Sequence, residues 1–243
     1  MSTEVRPAFY ALARGGWRDY ITLLHVPYTA WHLSYVVIGA CLAPSFYSDR
    51  LLWALASFLL ALGIGAHALD ELEGRPLRTR IPDRVLVALG ALSIAAAVAI
   101  GIGAAVAWGL WLLPFVGFGG FVVCAYNLEL FGGRFHSNTW FALAWGAFPL
   151  LTGYFVEAQQ VRAEAVLAAS FAALLSSAQR TLSTQVRRVR REIVSVSGEL
   201  ELSDGSRSRL TERTLLAAPE LALRTLTLAV VALASALLVL RLG

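Results

Sequence analysis

Seven long apolar runs constrain the fold of this chain more than any other feature. Each is close in length to, or longer than, the roughly 20 residues that an α-helix needs to cross a bilayer. Backbone N–H and C=O groups inside a bilayer must pair within the protein, and runs of this length do so as helices. We therefore predict an all-α, polytopic transmembrane bundle with about seven spans: Tyr28–Phe46, Leu51–Asp70, Val85–Trp108, Leu110–Leu130, Thr139–Glu157, Ala163–Ala178 and Leu221–Leu240.

The balance of residue types excludes the soluble alternatives. Hydrophobic residues make up 58% of the 243 residues and charged residues 15%, whereas soluble domains are about half apolar and about a quarter charged. Arginine supplies all 20 basic residues, which excludes the lysine Schiff-base chemistry of retinal proteins and of imine-forming enzymes. Cys41 and Cys124 stand apart inside apolar runs, so the sequence indicates neither a disulfide framework nor a zinc site.

The distribution of arginine predicts how the chain is oriented in the cytoplasmic membrane. With the N-terminus inside and the C-terminus outside, 17 arginines fall in inner segments and 3 in outer ones, a strong positive-inside bias. We attribute the net charge of +4 to this bias. We expect the inner arginines to contact anionic membrane lipids, and we expect no nucleic-acid partner. The predicted organisation is an N-terminal cytoplasmic or interfacial segment (1–27), a core of six spans (28–180), a basic cytoplasmic segment (181–219) and a last span (220–243).

Acidic side chains collect at the inner end of the second span. If its helix continues, His67, Asp70 and Glu71 lie on one face, and Glu73 is a near neighbour of Asp70. Carboxylates so placed suit Mg²⁺, which prefers oxygen ligands and commonly bridges to phosphates. His67 is a candidate base or ligand. The alternative is a plain helix end whose acids pair with Arg75, Arg78 and Arg80.

Two further inner helix ends carry polar residues at membrane depth, where such residues usually face a cavity or each other. After the fourth span come Tyr126, Asn127, Glu129, Arg134, His136 and Asn138. After the sixth span, Gln179, Ser183 and Arg187 share a face if the helix continues, and Arg180 follows Gln179. Because this second set holds donors and no carboxylate, it suits an anion such as a lipid phosphate. Contact with anionic headgroups alone is the simpler alternative.

Three segments between Ile21 and Arg187 combine into a recognisable pattern: Ile21–Thr29 leading to Val37-Ile-Gly-Ala40, the stretch from Asp70 through Arg75-Pro-Leu to Arg80-Ile-Pro82, and Tyr126-Asn-Leu-Glu129 with Asn138 and Trp145–Tyr154. Through these segments, about two-thirds of the chain resembles the UbiA superfamily of intramembrane prenyltransferases. The resemblance implies a helical bundle with a lipid-facing cavity that opens at the cytoplasmic face. It also implies two aspartate-rich motifs that bind Mg²⁺ and an isoprenyl diphosphate.

This chain departs from the family pattern at both acidic motifs. The first motif falls on Ala66, His67, Asp70 and Gly74, so Asp70 is its one remaining aspartate. The second falls near Gln179–Arg187, which has no acid. Family members also commonly have more spans than the seven counted here.

The resemblance implies a role for each candidate residue. Asp70, Glu71 and Glu73 would hold Mg²⁺, and His67 or His136 would act as base or metal ligand. The catalytic set is therefore Asp70, His67, Tyr126 and His136. The substrate-binding set, in which arginines clamp the phosphates, is Arg78, Arg80, Asn127, Arg134, Asn138, Gln179, Arg180 and Arg187.

The sequence leaves three functional hypotheses open. The first is a divergent UbiA-like prenyltransferase acting on an isoprenoid diphosphate at the cytoplasmic face. The second is an inactive relative that binds an isoprenoid lipid or quinone, or a membrane subunit that docks a protein partner through Thr181–Pro219. A small-solute transporter is the weakest, because its usual signs are repeats and broken spans with intramembrane charges.

Overall fold

A computed structural model describes residues 6–243, so the first five residues of the predicted N-terminal segment lie outside the described range. The described chain is helical apart from one short hairpin. Its helices are α1 (Trp17–Leu23), α2 (Val26–Leu42), α3 (Ser48–Leu72), α4 (Asp83–Trp108), α5 (Leu110–Asn127), α6 (Asn138–Ala158), α7 (Ala163–Arg191) and α8 (Glu212–Leu242). Strands β1 (Glu199–Glu201) and β2 (Arg207–Arg209) pair antiparallel.

Six of these helices, α3 to α8, are long and apolar enough to span a membrane. The prediction of an all-helical chain with helices of membrane-spanning length and hydropathy is confirmed. Helix α2 covers the first predicted span but has 17 residues, which places it at the lower limit for crossing a bilayer. The count of seven spans therefore stays a prediction.

Helix α2 lies at the centre of the bundle. Its Trp31, Tyr35 and Ile38 form the largest buried apolar cluster with residues of α6, α7 and α8. The approach of α2 to α6 is close: a Cβ at Gly39 would meet the carbonyl of Leu150, and a Cβ at Gly153 would meet the carbonyl of Val36. Small residues at such crossings let helix backbones approach in a membrane, where packing stabilises association.

Two spans contain a π-helical segment, Leu59–Ala66 in α3 and Ala142–Ala147 in α6. The two segments meet in the interior, where Leu62 of one packs with Ala144 and Trp145 of the other and with Tyr126 of α5. A π-turn takes one residue more than an α-turn, and such turns are often found at functional sites. The segment in α3 precedes His67–Leu72, and the segment in α6 follows Asn138–Phe141, so both adjoin the end of the bundle at which the connections 73–82 and 128–137 lie.

The longer connections 73–82, 128–137 and 192–211 all lie at one end of the bundle, called the loop end below. Helix α7 runs through the predicted span boundary at Ala178 and continues to Arg191 at this end. A short hairpin follows it, with strands of three residues each. At the opposite end the connections are short, and Arg50 and Arg241 donate to the helix-end carbonyls of Val156 and Cys41.

The N-terminal segment 6–15 crosses the loop end of the bundle. Arg190 and Arg191 of α7 donate to the carbonyls of Arg6 and Pro7. On the other side, Arg14 donates to the carbonyl of Arg78. The segment therefore bridges α7 and the loop after α3, with the ends of α2 and α3 beneath it.

Candidate functional site

The loop after α3 is fixed by a buried carboxylate. Glu71 is fully buried, and its Oε2 accepts from the Leu77 N–H at 2.9 Å. Its Oε1 accepts from the N–H and the hydroxyl of Thr79 at 2.8 and 2.9 Å. Because both oxygens accept hydrogen bonds from this loop, Glu71 orders the loop.

Arg180 of α7 anchors one half of the site. Its guanidinium donates to the Tyr126 hydroxyl and, at 2.6 Å from Nε, to Asn138 Oδ1. It also lies 5.0 Å from the centre of the Phe141 ring, a distance at which a cation is attracted to an aromatic face. Three helices, α5, α6 and α7, thus meet at one arginine.

His136 stacks on Tyr126 in the same half, with ring centres 4.5 Å apart. Its Nδ1 is 3.2 Å from the carbonyl of Tyr126. A carbonyl can only accept, so Nδ1 carries the proton in the neutral ring and Nε2 has the free lone pair. His136 therefore offers a basic nitrogen beside Arg180.

Asp70 lies in the other half of the site, at the end of α3. Its carboxylate interacts electrostatically with Arg187, Arg191, Glu71 and His136. Among residues 6–243, however, the carboxylate has no hydrogen-bond or ion-pair partner within 4.0 Å. The positive charge of Arg187 also interacts electrostatically with that of Arg180. Arg187 therefore links the two halves, and the Asp70 carboxylate lies near two arginines, Arg187 and Arg191.

A pair of stacked histidines adjoins Asp70. The rings of His25 and His67 are 3.9 Å apart and nearly parallel. His67 Nδ1 donates to the carbonyl of Gly63 at 3.1 Å, which leaves Nε2 as a second free lone pair in the site. Burial, and then the neighbouring His67, lowers the pKa of His25 well below its usual range, so His25 is neutral at pH 7.

Tyr10 of the N-terminal segment covers the histidine pair. Its ring centre is 5.3 Å from that of His25 and 5.5 Å from that of Tyr28. Burial, and then Tyr28, raises the pKa of the Tyr10 phenol well above its usual range. The charges of Arg191 and Asp70 also act on the phenol, which places Tyr10 over the same polar cluster.

Two buried polar atoms in this region have no partner within residues 6–243. They are His25 Nε2 and Gln179 Oε1. Buried polar atoms are usually hydrogen-bonded, and each exception calls for an explanation such as an unseen water or ligand. We call the whole set the polar cluster: Tyr10, His25, His67, Asp70, Tyr126, His136, Asn138, Gln179, Arg180, Arg187 and Arg191.

An apolar groove of about 900 Å³, counted to its open mouth, runs through the membrane part of the bundle between α3, α4, α5 and α6. Its lining is almost entirely apolar and includes Trp108, Val116 and Phe148. Leu62 and Trp145 line its end nearest the loop end. Trp145 lies 4.3 Å from Tyr126, centre to centre, so one pair of rings separates the groove from Arg180.

The structure brings together eight of the sequence-predicted site residues. These are His67, Asp70, Tyr126, His136, Asn138, Gln179, Arg180 and Arg187, all in the polar cluster. Six lie elsewhere. Glu71 holds the loop, and Glu73 is exposed just beyond the end of α3. Asn127 donates to the Val123 carbonyl of its own helix, and Arg134 is exposed. Arg78 and Arg80 line a separate cleft with Arg6 and Arg14.

The predicted Mg²⁺ ligands do not converge. Glu71 accepts three hydrogen bonds from the loop, and Glu73 is exposed after the helix has ended. Among residues 6–243, no group of three or more His, Cys, Asp or Glu side chains is placed to hold a metal ion. The magnesium prediction therefore rests on Asp70 alone.

Three residues of the polar cluster were missed as site residues by the sequence analysis: Arg191, His25 and Tyr10. Arg191 follows Arg187 by four residues and continues the Gln179, Ser183 and Arg187 face, so helical spacing could have identified it. His25 precedes the first span without a motif. Tyr10 joins the site because residues 6–15 fold across it, and no local pattern predicts that.

Comparison of the chain with protein-family models, with curated proteins and with solved structures gives no match.

Proposed function

We propose that this protein binds an isoprenoid diphosphate and acts as a divergent prenyltransferase of the UbiA type. The observation that carries the proposal is the shared wall of Tyr126 and Trp145. On one side of it lies an apolar groove, and on the other the guanidinium of Arg180. A ligand suited to both sides has a long apolar chain and a strongly anionic head.

The arginines of the polar cluster match the head of such a ligand. Arg180, Arg187 and Arg191 interact electrostatically in sequence along α7, and within residues 6–243 none of them forms an ion pair with a carboxylate. Guanidinium groups form strong, directional hydrogen bonds with phosphate oxygens. Binding a diphosphate would relieve the repulsion between the three like charges.

The groove matches the chain of the ligand. Its space of about 900 Å³ is counted to the open mouth and includes open solvent, so the match rests on its almost entirely apolar lining, which is the kind of surface that ligand pockets present to apolar groups. An isoprenoid chain there would contact aliphatic and aromatic side chains, while its first carbon lay near Trp145 and Tyr126. The C–O bond at that carbon would break with its electron pair leaving on the diphosphate, which the arginines stabilise.

The acceptor would then bond to the same carbon and lose a proton. His67 and His136 each have an Nε2 lone pair in the polar cluster, and either is suited to take that proton. Asp70, opposite the arginines, is suited to orient the acceptor or a cation. The exposed edge of the site at His136 and Asn138 gives the acceptor access from the loop end.

Binding is tested by native mass spectrometry of the purified protein with geranylgeranyl diphosphate, with and without Mg²⁺. We expect Arg180→Gln to weaken binding about 10- to 150-fold, since a hydrogen bond to a charged group contributes about 1.5 to 3 kcal/mol. Arg188→Gln is the matched control, because Arg188 is an exposed arginine on the same helix. A wild-type protein that binds no isoprenoid diphosphate, with or without Mg²⁺, would refute the proposal.

Catalysis is tested separately with labelled prenyl diphosphate and a set of aromatic and lipid acceptors. We expect Asp70→Asn to abolish transfer while it leaves diphosphate binding within a few-fold of wild type. Transfer that survives Asp70→Asn unchanged would contradict the assignment of Asp70 as a catalytic residue.

A second function is favoured by the position of Glu71. Since its carboxylate is committed to the loop, Asp70 is the one predicted metal ligand that faces the polar cluster. This arrangement suits a protein that binds an isoprenoid lipid or quinone without turning it over. Recovery of a neutral isoprenoid with the purified protein, together with no affinity for diphosphates, would support this second function and exclude the first.

A further inference from the structure

Arg78 and Arg80 line a second cleft, distinct from the polar cluster. Its walls are the N-terminal segment on one side and the loop after α3 on the other, and it encloses about 750 Å³ with its open mouth. The lining is Arg6, Pro7, Leu12, Ala13, Arg14, Arg78 and Arg80. Four of these seven residues are arginines, and we call this site the arginine cleft.

The loop that carries Arg78 and Arg80 is rigidly built. Glu71 binds the loop at Leu77 and Thr79. Asp19 of α1, also buried, accepts from the Arg80 N–H at 2.8 Å and from the Gly15 N–H at 2.9 Å. Two buried carboxylates therefore fix the main chain on both sides of the arginine cleft.

The backbone at Arg78 adopts a left-handed conformation, with φ 56°. A residue with a Cβ rarely adopts this region, and such strain persists where the surroundings enforce it. The carbonyl of Arg78 accepts from Arg14 Nε at 2.8 Å. The chain thus maintains a strained arginine at the wall of a cleft that already holds other arginines.

The positive charges of Arg78 and Arg80 make the arginine cleft suited to bind an anion. Within residues 6–243, the side chains of Arg78 and Arg80 make no hydrogen bond or ion pair. Like charges held together repel one another, and a bound anion with several acceptor oxygens reverses that cost. A phosphate group has this chemistry.

The neighbouring helix α1 indicates where that phosphate comes from. It begins three residues after Arg14 and exposes Trp17 and Tyr20 on its surface, 67% and 43% exposed. Trp and Tyr side chains of this kind are enriched at the headgroup level of membranes. The arginine cleft therefore lies beside a helix suited to the plane of the lipid headgroups.

We propose that the arginine cleft binds the phosphate of an anionic phospholipid from the surrounding membrane. It is a lipid site separate from the isoprenoid site, and it links the N-terminal segment to the loop after α3. Arg78 and Arg80 therefore serve the membrane lipid and not the diphosphate of the isoprenoid ligand.

The test places the full-length protein in nanodiscs that contain phosphatidylglycerol and phosphatidylethanolamine in equal amounts, followed by native mass spectrometry. We expect wild type to retain phosphatidylglycerol preferentially, and Arg78→Gln with Arg80→Gln to reduce that retention at least 10-fold. The control pair is Arg84→Gln with Arg188→Gln, which removes the same charge from exposed positions outside the cleft. Arg80→Gln alone, which leaves the strained backbone at Arg78 unchanged, should give a smaller loss in the same direction.

Three results would overturn this proposal. Equal losses in the cleft and control pairs would mean that net charge alone attracts the lipid. Competition by millimolar inorganic phosphate, without a preference for phosphatidylglycerol, would assign the cleft to a soluble phosphate. Loss of geranylgeranyl diphosphate binding in the cleft pair would assign Arg78 and Arg80 to the isoprenoid site, whereas its retention keeps the two sites separate.

Discussion

Replacing Glu71 with glutamine should loosen the loop after α3 without disturbing the membrane part of the bundle. The glutamine oxygen can keep the two hydrogen bonds from Thr79, but the amide nitrogen then faces the Leu77 N–H, which is also a donor. One hydrogen bond to a buried carboxylate is lost and its donor is left unsatisfied. The free energy of local opening should fall by about 2 to 3 kcal/mol, which is a 30- to 150-fold increase in the open population.

Trypsin provides the assay because the loop contains its own cleavage sites. The bonds after Arg78 and Arg80 are cleavable when the loop opens, while the bond after Arg75 precedes Pro76 and resists the enzyme. When opening and closing are fast, the cleavage rate follows the open population. We therefore expect cleavage after Arg78 to accelerate 30- to 150-fold in Glu71→Gln.

The matched control is Glu73→Gln, which removes the same charge from an exposed carboxylate two residues further on. Its cleavage rate should stay within about twofold of wild type, as expected for an exposed substitution. Equal cleavage rates in Glu71→Gln and Glu73→Gln would refute the assignment of Glu71 to the loop. Glu71 would then be available again as a predicted metal ligand.

Three other substitutions test the packing, the polar cluster and the groove. Gly39→Ala should destabilise the fold by about 1 to 3 kcal/mol through overpacking, measured as a lower Tm than in Gly117→Ala, where an added Cβ meets open space. Because the pKa of His25 is lowered in the folded state, the unfolded state gains its proton first, and stability should fall as pH drops below about 6.5. A His25→Gln variant should flatten that decline, and an unchanged pH profile would contradict the neutral, buried state of His25. Val116→Phe should weaken binding of geranylgeranyl diphosphate but not of inorganic diphosphate, whereas the exposed Leu113→Phe should affect neither; an equal effect on both ligands would show that the groove does not hold the chain.

The helical membrane class could be predicted because it depends on length and hydropathy alone. The same runs located α3 to α8 to within a few residues at most ends. The boundary at Ala178 was too early by thirteen residues, since α7 ends at Arg191. Arginine and glutamine are good helix formers in water, so the helix continues after its apolar run has ended.

Parts of the polar cluster could also be predicted, because helical spacing places Gln179, Ser183 and Arg187 on one face. The sequence could not predict that Asp70 joins the polar cluster while Glu71 binds the loop after α3. Both are acids at one helix end, and the loop that captures Glu71 is formed by residues six to eight positions later. The separation of Arg78 from Arg187 likewise depends on residues 6–15, which cross the loop end between α7 and the loop after α3. This is a tertiary contact without a local signal.

The π-helical segment Leu59–Ala66 gives α3 one place where its length can change without turning its two ends against each other. Substitutions there exchange one apolar surface for another, and deletion of one residue would return the segment to an α-helix. Because a π-turn holds one residue more than an α-turn, this deletion would leave Ser48–Phe58 and His67–Leu72 close to their present relative orientation. A deletion in the α-helical parts of α3 would instead rotate one half by about 100°, and Asp70 would turn away from the arginines of α7. Through evolution, this helix can therefore lose a residue within the π-segment more readily than on either side of it.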